Sequence, residues 1–491
     1  MIKQRAVPIL AAILSVTFFA ELVSAQSSSW DDLIDTGTKY YQQGRFPEAE
    51  KLYLEALKKA EQFGNEDRRV AITLSDLAGV YRVQGKYAEA EALLIRALDI
   101  DRKTPQPIDP NIAIDLNNLA MLYRSQGKYA LAEPLQQQAL AIHQKALGPK
   151  DRSVAIDANN LAGLYSEMGK YAEAEALYQR GLVILREVLE PDDGEVAAAL
   201  ANLALLYQRQ GRYAEAEPLY LRSVAMMEKK CGPEHPNVGT VLSSMAILCQ
   251  ILGRYAEAER LERRALSIYE KALGPEHPDV AGLVSSLAGL YQTQGKYTEA
   301  EPLYRRSLEI MTKALGPEHP DVAVSLNNLA ILYQRTNRYG EAERLFRQSL
   351  SINEKAFGLE HPYIAAALDN LAGLKGASDK HTNVEPLYRR ALAIREKMLG
   401  PEHPEVAITL NNLAVVYQTE GKQAEAEKLF RRSLAILQKA LGPDHPDVAA
   451  SLHNLATVCA GQGKHREAAT LEEQAVAIRA KVTPVSLTKR D

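Results

Sequence analysis

Six histidines stand in one recurring setting, each between an acidic residue and a proline: His235, His277, His319, His361, His403 and His445. A histidine beside a carboxylate is suited to metal ligation or to general-base chemistry. The stretch KALGPEHPDV occurs letter for letter at 271–280 and again at 313–322, and KALGPDHPDV stands at 439–448. A metal site needs several ligands converging on one ion. These histidines recur every 42 residues, one to each unit of a repeating chain. Packed helices lie 8–10 Å apart, so equivalent loops of successive helical hairpins are separated by roughly 20 Å. They cannot share an ion, and the spacing points to joints. Gly274 can end a helix and Pro275 prevents its continuation. Pro278 suits the first turn of the next helix, Asp279 complements its dipole, and His277 falls at the cap.

The elements that carry these joints follow from the same period. A QGKY-type turn places Gly85, Gly127, Gly169, Gly211, Gly253 and Gly295 at steps of 42, then Asn337, Asp379, Gly421 and Gly463; Gly44 begins the series one residue short. A fixed period of this length marks a repeat architecture. In AGLVSSLAGLYQTQGKYTEAEPLYRRSLEIMTKALG (281–316), Val284, Leu287, Ala288 and Tyr291 lie on one helical face. After Gly295, the residues Ala300, Leu303, Tyr304, Leu308 and Met311 form a second amphipathic face. Each unit is therefore a helical hairpin. The sequence predicts eleven units over 30–481, preceded by a short linker at 26–29 and followed by a disordered tail at 482–491.

LNNLAILYQRTNRYGEAERLFRQSL (326–350) has the small, aromatic and alanine positions of the tetratricopeptide repeat. With NNLA, GKYAEAE and LGPEHPDV on a 42-residue period, the chain resembles the repeats of kinesin light chains. The heptad segment that joins those proteins to a motor has no counterpart here. The resemblance implies an all-α, right-handed superhelical solenoid that binds peptide, and implies no motor role. It also implies that the first helices line the concave surface.

One core column holds leucine in most units, among them Leu119, Leu161 and Leu203. The residue before each points about 100° away around the helix. That column reads Asn118, Asn160, Asn202, Ser244, Ser286, Asn328, Asn370, Asn412 and Asn454, with Asp76 earlier; the column before it holds Asn117, Asn159, Asn327 and Asn411. Asparagine inside a helix costs about half a kcal/mol relative to alanine, so its repeated use needs a reason. An amide carries donors and an acceptor together and can bond the backbone of an extended peptide whatever its side chains. Similar repeats use asparagines here in that way, as the resemblance implies. The alternative is that the amides lock one hairpin to the next; the two roles are compatible. A carboxylate clamp is not expected, because the column that would carry its lysines reads Ile72, Ile114, Ile156, Ala198, Thr240, Gly282, Val324, Ala366, Ile408 and Ala450.

Two units depart from the pattern. In 365–406, Lys375 replaces the core tyrosine, Asp379 the turn glycine, His381 the next tyrosine and Val384 the small alanine. In 239–280, Ser243 and Ser244 replace the asparagine pair and Cys249 the tyrosine; Glu262 and Gln136 take an aromatic column, as Glu472 does in the last unit. The first of these is expected to be a weak seam.

Composition bounds the rest. The formal net charge is −4 with 24% charged residues, without the basic excess of a nucleic-acid binder. Lys3 and Arg5 precede the apolar run AVPILAAILSVTFFA, and VSA ends at Ala25 before Gln26. This order is that of a signal peptide, so residues 1–25 are expected to direct export to the periplasm or beyond; an uncleaved N-terminal anchor is the alternative. No other apolar run is long enough to span a membrane. The three cysteines, Cys231, Cys249 and Cys459, make no disulfide framework. No phosphate-binding glycine loop, zinc-protease motif or serine-hydrolase elbow is present. The sequence thus predicts a non-enzymatic scaffold without cofactor or metal, whose partner is a protein or peptide held in the concave groove. The alternative is an assembly protein that self-associates through its solenoid.

Overall fold

The computed structural model describes residues 29–103, 109–378 and 383–482. Among them, twenty-two α-helices alternate as first and second members of eleven hairpins. The first helices are α1 (Trp30–Gln42), α3 (Arg68–Val83), α5 (Pro110–Ser125), α7 (Arg152–Glu167), α9 (Gly194–Arg209), α11 (Pro236–Ile251), α13 (Pro278–Thr293), α15 (Pro320–Arg335), α17 (Pro362–Ala377), α19 (Pro404–Thr419) and α21 (Pro446–Gly461). The even-numbered helices run from α2 (Phe46–Ala60) to α22 (His465–Val482). The signal-peptide and tail residues lie outside the described residues, apart from Val482 at the end of α22.

The hairpin turn is built from the glycine column. Gly85 has φ +73°, and beyond it the Lys86 N–H reaches back to the Tyr81 carbonyl at 2.8 Å. This 6→1 bond closes the end of α3, and the left-handed residue before it is normally glycine or asparagine. Asn337 fills the same place with φ +60°. The joint also has the expected form. His277 is the N-cap of α13, its Nδ1 accepting the Asp279 N–H at 3.1 Å.

Most second helices bury an aromatic residue of one column between their own first helix and the next. Tyr220, Tyr304, Phe346 and Phe430 are almost fully inaccessible, each worth about 1.5–3 kcal/mol of burial. A continuous core runs from Ala120 to Leu374 and stops there; separate clusters cover the units beyond. The break falls in the degenerate unit. There α18 (Glu385–Leu399) is shorter than the 19-residue second helices around it, and Arg395 is buried in an ion pair with Asp369, which also accepts from Thr409 at 3.1 Å.

The superhelix is wound so tightly that successive turns touch. The His319 Nε2–H donates to the Val83 carbonyl at 2.7 Å, and the His403 Nε2–H to the Glu167 carbonyl at 2.8 Å. Both pairs are 236 residues apart, about five and a half units. Tyr87 stacks on Phe357 with centroids 5.3 Å apart, and Phe357 on His361 at 3.9 Å. Leu315 packs into the cluster of Phe46 and Tyr53. A Cβ on Gly44 would lie 2.8 Å from His277 Nε2, one on Gly169 2.9 Å from Pro404, and one on Gly211 2.9 Å from His445. The joint edge of the later units therefore sits on the turn edge of the earlier ones. At Gly253, Gly295, Gly421 and Gly463 an added Cβ would meet nothing within 4 Å among the described residues.

The cap residue follows this geometry. Asp67, Asp109, Asp151 and Asp193 cap the first helices of the early units, and histidine caps every first helix from α11 to α21. An aspartate can only accept. A histidine accepts at Nδ1 and, in the tautomer this enforces, donates at Nε2. The histidines are joints as the spacing indicates; His319 and His403 also hydrogen-bond the superhelical turn before them, and His277, His361 and His445 lie against it.

Candidate functional site on the inner face

Successive first helices approach one another while the second helices are spread apart, so curvature puts the first helices inside. In α5 the only face not packed against neighbours carries Ile114, Asn117, Asn118 and Met121, and in α7 the same face carries Ile156, Asn159, Asn160 and Gly163. These positions recur at i, i+3, i+4 and i+7, one side of a helix. Ile72, Ile114, Ile156 and Ile408 are 39–51% exposed there, leaving apolar surface beside the amides. Where two turns overlap, their touching edges close the wall. There the inner face is bounded by the touching edges of the two turns. Its central positions are crowded: Ala198, Gln208, Gln292 and Ile331 are buried.

The asparagine columns lie on this face, and the structure divides them. Asn328 Nδ2 donates to Ser285 Oγ at 3.1 Å, Asn370 to Asn327 at 2.8 Å and Asn454 to Asn411 at 2.9 Å. Each of these bonds spans 43 residues and ties one hairpin to the one before it. Asn117 donates to Asp157 at 2.7 Å, also between hairpins. Asn118, Asn160, Asn202 and Asn412 are half-buried and make no hydrogen bond to the described residues. The buried Asn159 Oδ1 has no partner among them either. For three of the four, the residue 43 positions earlier is turned to another partner, Ser75 to Asp115, Asn117 to Asp157 and Asp369 to Arg395, while the Asn117 Oδ1 and Asp369 Oδ1 have no partner among the described residues.

Ionisable groups punctuate the wall behind this face. Burial pushes the Asp76 carboxyl up to about 7. Asp115 is likewise raised to about 7 by burial, with Asp101 adding to it. Asp157 meets the His143 Nδ1 at 2.7 Å, and His143 Nε2 lies 3.1 Å from the Pro110 carbonyl. Glu472 meets His453 at 2.7 Å. Glu427, Cys459 and Glu467 lie close enough to hold an ion, but Lys464 and Arg431 already neutralise Glu427, and Arg431 also pairs Glu467. Burial raises the Cys459 thiol further above its ordinary range. These are poor conditions for a cation. Cys249 is buried, and the three cysteines are unbridged. No helix among the described residues is long and apolar enough to cross a membrane.

A tetratricopeptide repeat profile matches residues 37–103, 112–187, 195–271, 279–355, 337–397, 363–439 and 423–481. No curated protein matches the chain. Among solved structures it is similar to BtubC (BKLC) from P. vanneervenii, at 26% identity over 49% of this chain and 94% of that one, with a TM-score of 0.38. It is also similar to a kinesin light chain-type protein of nearly identical repeats from Podospora anserina, at 32% identity over 42% and 98% of the two chains, with a TM-score of 0.35. A Rap protein complexed with Competence and Sporulation Factor aligns at 12% identity over 84% and 98%, with a TM-score of 0.47. The chain belongs to the tetratricopeptide repeat family.

Proposed function

We propose that this protein is an exported interaction scaffold that holds an extended peptide, or an extended segment of a partner protein, along its inner face. The observation that carries the reading is the set Asn118, Asn160, Asn202 and Asn412. Four partly exposed amides sit in a column whose other asparagines, Asn328, Asn370 and Asn454, bond between hairpins, and among the described residues these four have both donors and acceptor unspent. A peptide backbone offers the complementary N–H and C=O at every residue. The neighbouring isoleucines supply apolar contact for its side chains. Export rests on Lys3, Arg5, the apolar run and VSA before Gln26. The reading assigns no catalytic step, cofactor or nucleic acid. Because the overlapping turns close the wall, the peptide enters from an open end or when the turns part.

The test compares two substitutions in one column. Asn370→Ala removes an inter-hairpin bond and is expected to lower the melting temperature. Asn160→Ala removes no bond and gains helix propensity, so melting should hold or rise. Partner affinity should fall a few-fold with Asn160→Ala, as for a lost hydrogen bond of about 0.5–1.5 kcal/mol. Unchanged affinity of the Asn160→Ala protein, for a partner captured from the envelope fraction, would remove the amides from the binding site.

A further inference from the structure

The unit of α11 and α12 (Tyr255–Leu273) breaks two columns at once. Glu262 stands in the column of Tyr178, Tyr220, Tyr304 and Phe346, and is only 2% exposed. Serines replace the asparagines directly above it: Ser243 and Ser244 on α11, and Ser285 and Ser286 on α13. The exchanges are matched. The shorter serines stand over the carboxyl, and two of them bond it.

The hydrogen bonds fix the polarity of that patch. Ser243 Oγ donates to Glu262 Oε1 at 3.0 Å, and Ser286 also bonds the carboxyl. Ser244 Oγ donates to the Thr240 carbonyl at 3.1 Å. A hydroxyl has one hydrogen and two lone pairs. With their hydrogens turned into the wall, these three half-buried serines keep only acceptors for the inner space. Elsewhere the column offers amides with both donors and acceptors. Here it offers oxygen lone pairs above a buried carboxyl.

The carboxyl has no counter-ion among the described residues. Asp157 has His143, Asp369 has Arg395 and Glu472 has His453. The groups acting on Glu262 from α11 and α13 are the two serine hydroxyls, and no charged group among the described residues acts on it. Burial holds its carboxyl at about 7. An isolated buried acid is costly unless something pairs it.

We propose that Glu262 with Ser243, Ser244 and Ser286 is a subsite for a cationic donor, the ammonium of a lysine or the guanidinium of an arginine on the bound peptide. The inference rests on the inner-face reading above. The cation's N–H groups meet the serine oxygens, and its charge ionises Glu262, whose proton leaves to solvent. The chain therefore selects a basic residue at one position of its peptide, and selects it more strongly as pH rises toward 7.

Selection of a random heptapeptide library on the purified wild-type chain and on Glu262→Gln tests this. Glutamine keeps the size and the serine contacts and cannot ionise. Wild type should enrich lysine or arginine at one fixed position; E262Q should keep the rest of the pattern and lose that preference. A synthetic peptide from the wild-type pool should bind E262Q more weakly by about tenfold, the worth of a charge-assisted hydrogen bond. At pH 6.5 its binding to wild type should release a proton, seen as a binding enthalpy that changes with the buffer, and its binding to E262Q should not. Enriched peptides with no basic position, or the same position in both pools, would overturn the subsite and leave the inner-face reading standing. A library from which neither protein enriches any peptide would remove that reading and the subsite with it.

Discussion

The clasp between superhelical turns can be cut without touching the fold of any hairpin. Replacing His319 and His403 together by asparagine keeps a side chain that caps a helix well but cannot reach the turn below. Two hydrogen bonds are lost, from His319 to the Val83 carbonyl and from His403 to the Glu167 carbonyl. Each is worth about 0.5–1.5 kcal/mol. The pair contributes about 2 kcal/mol, which shifts the balance between touching and parted turns by about 30-fold. Hydrogen exchange should then quicken at the turn amides of 85–90 and 169–174, and X-ray scattering should show a longer particle. His235→Asn is the control. His235 caps α11 through its Nδ1, 3.2 Å from the Asn237 N–H, and its Nε2 bonds no earlier turn among the described residues. If the His319/His403 protein and the His235 protein give the same exchange and the same scattering, the histidines act as caps alone and the clasp does not hold the turns.

Other outcomes follow from particular groups. Glu262 is raised from the usual 4.5 to about 7 in the fold. Its contribution is complete below about pH 4.5 and is lost as pH rises through 7, a difference of about 3 kcal/mol. Glu262→Gln should therefore gain stability over wild type between pH 4.5 and 8, and a gap that does not change with pH would contradict this. In the degenerate unit, exchange should be faster across 365–400 than in its neighbours; equal protection over 323–448 would show that it is no seam. Arg395→Met should speed exchange there further, since it leaves the Asp369 carboxyl buried without its cation, at a cost of about 3–5 kcal/mol. Sequencing of the native protein should begin at or near Gln26, and a start at Met1 would defeat cleavage.

The hairpin was legible because it is local. Its period, turn glycines, helix caps and buried aromatic column each lie within one 42-residue unit, where spacing and propensity suffice. The inter-turn clasp was not, because it depends on a small rotation between hairpins summed over more than five of them. A signal was nonetheless present: the cap column changes from aspartate to histidine between Asp193 and His235, about where the second turn begins. The inner-face asparagines were found as one column, but their division was hidden. Whether Asn160 or Asn370 has a partner is decided by what occupies Asn117 or Asn327, and by whether that residue is engaged elsewhere. The same holds at Glu262. The sequence shows it as an odd member of an aromatic column; only the placement of Ser243 and Ser286 shows what it faces.

The stacked turns also bear on how such a chain can change length. Every covered turn is equivalent to the next, so duplication or loss of one whole unit slides the joint edge along by one place and finds a like partner there. A gain or loss of one residue inside a unit shifts the register of every contact spanning it, since each clasp spans 236 residues of chain. The one irregular step, the 41 residues between Gly44 and Gly85, lies in the first two hairpins, under the contact of Gly44 with His277. Growth by whole copies, with little drift in the joint and the turn, is the route that keeps the wall closed, and the ten residues repeated letter for letter at 271–280 and 313–322 are what that route leaves behind.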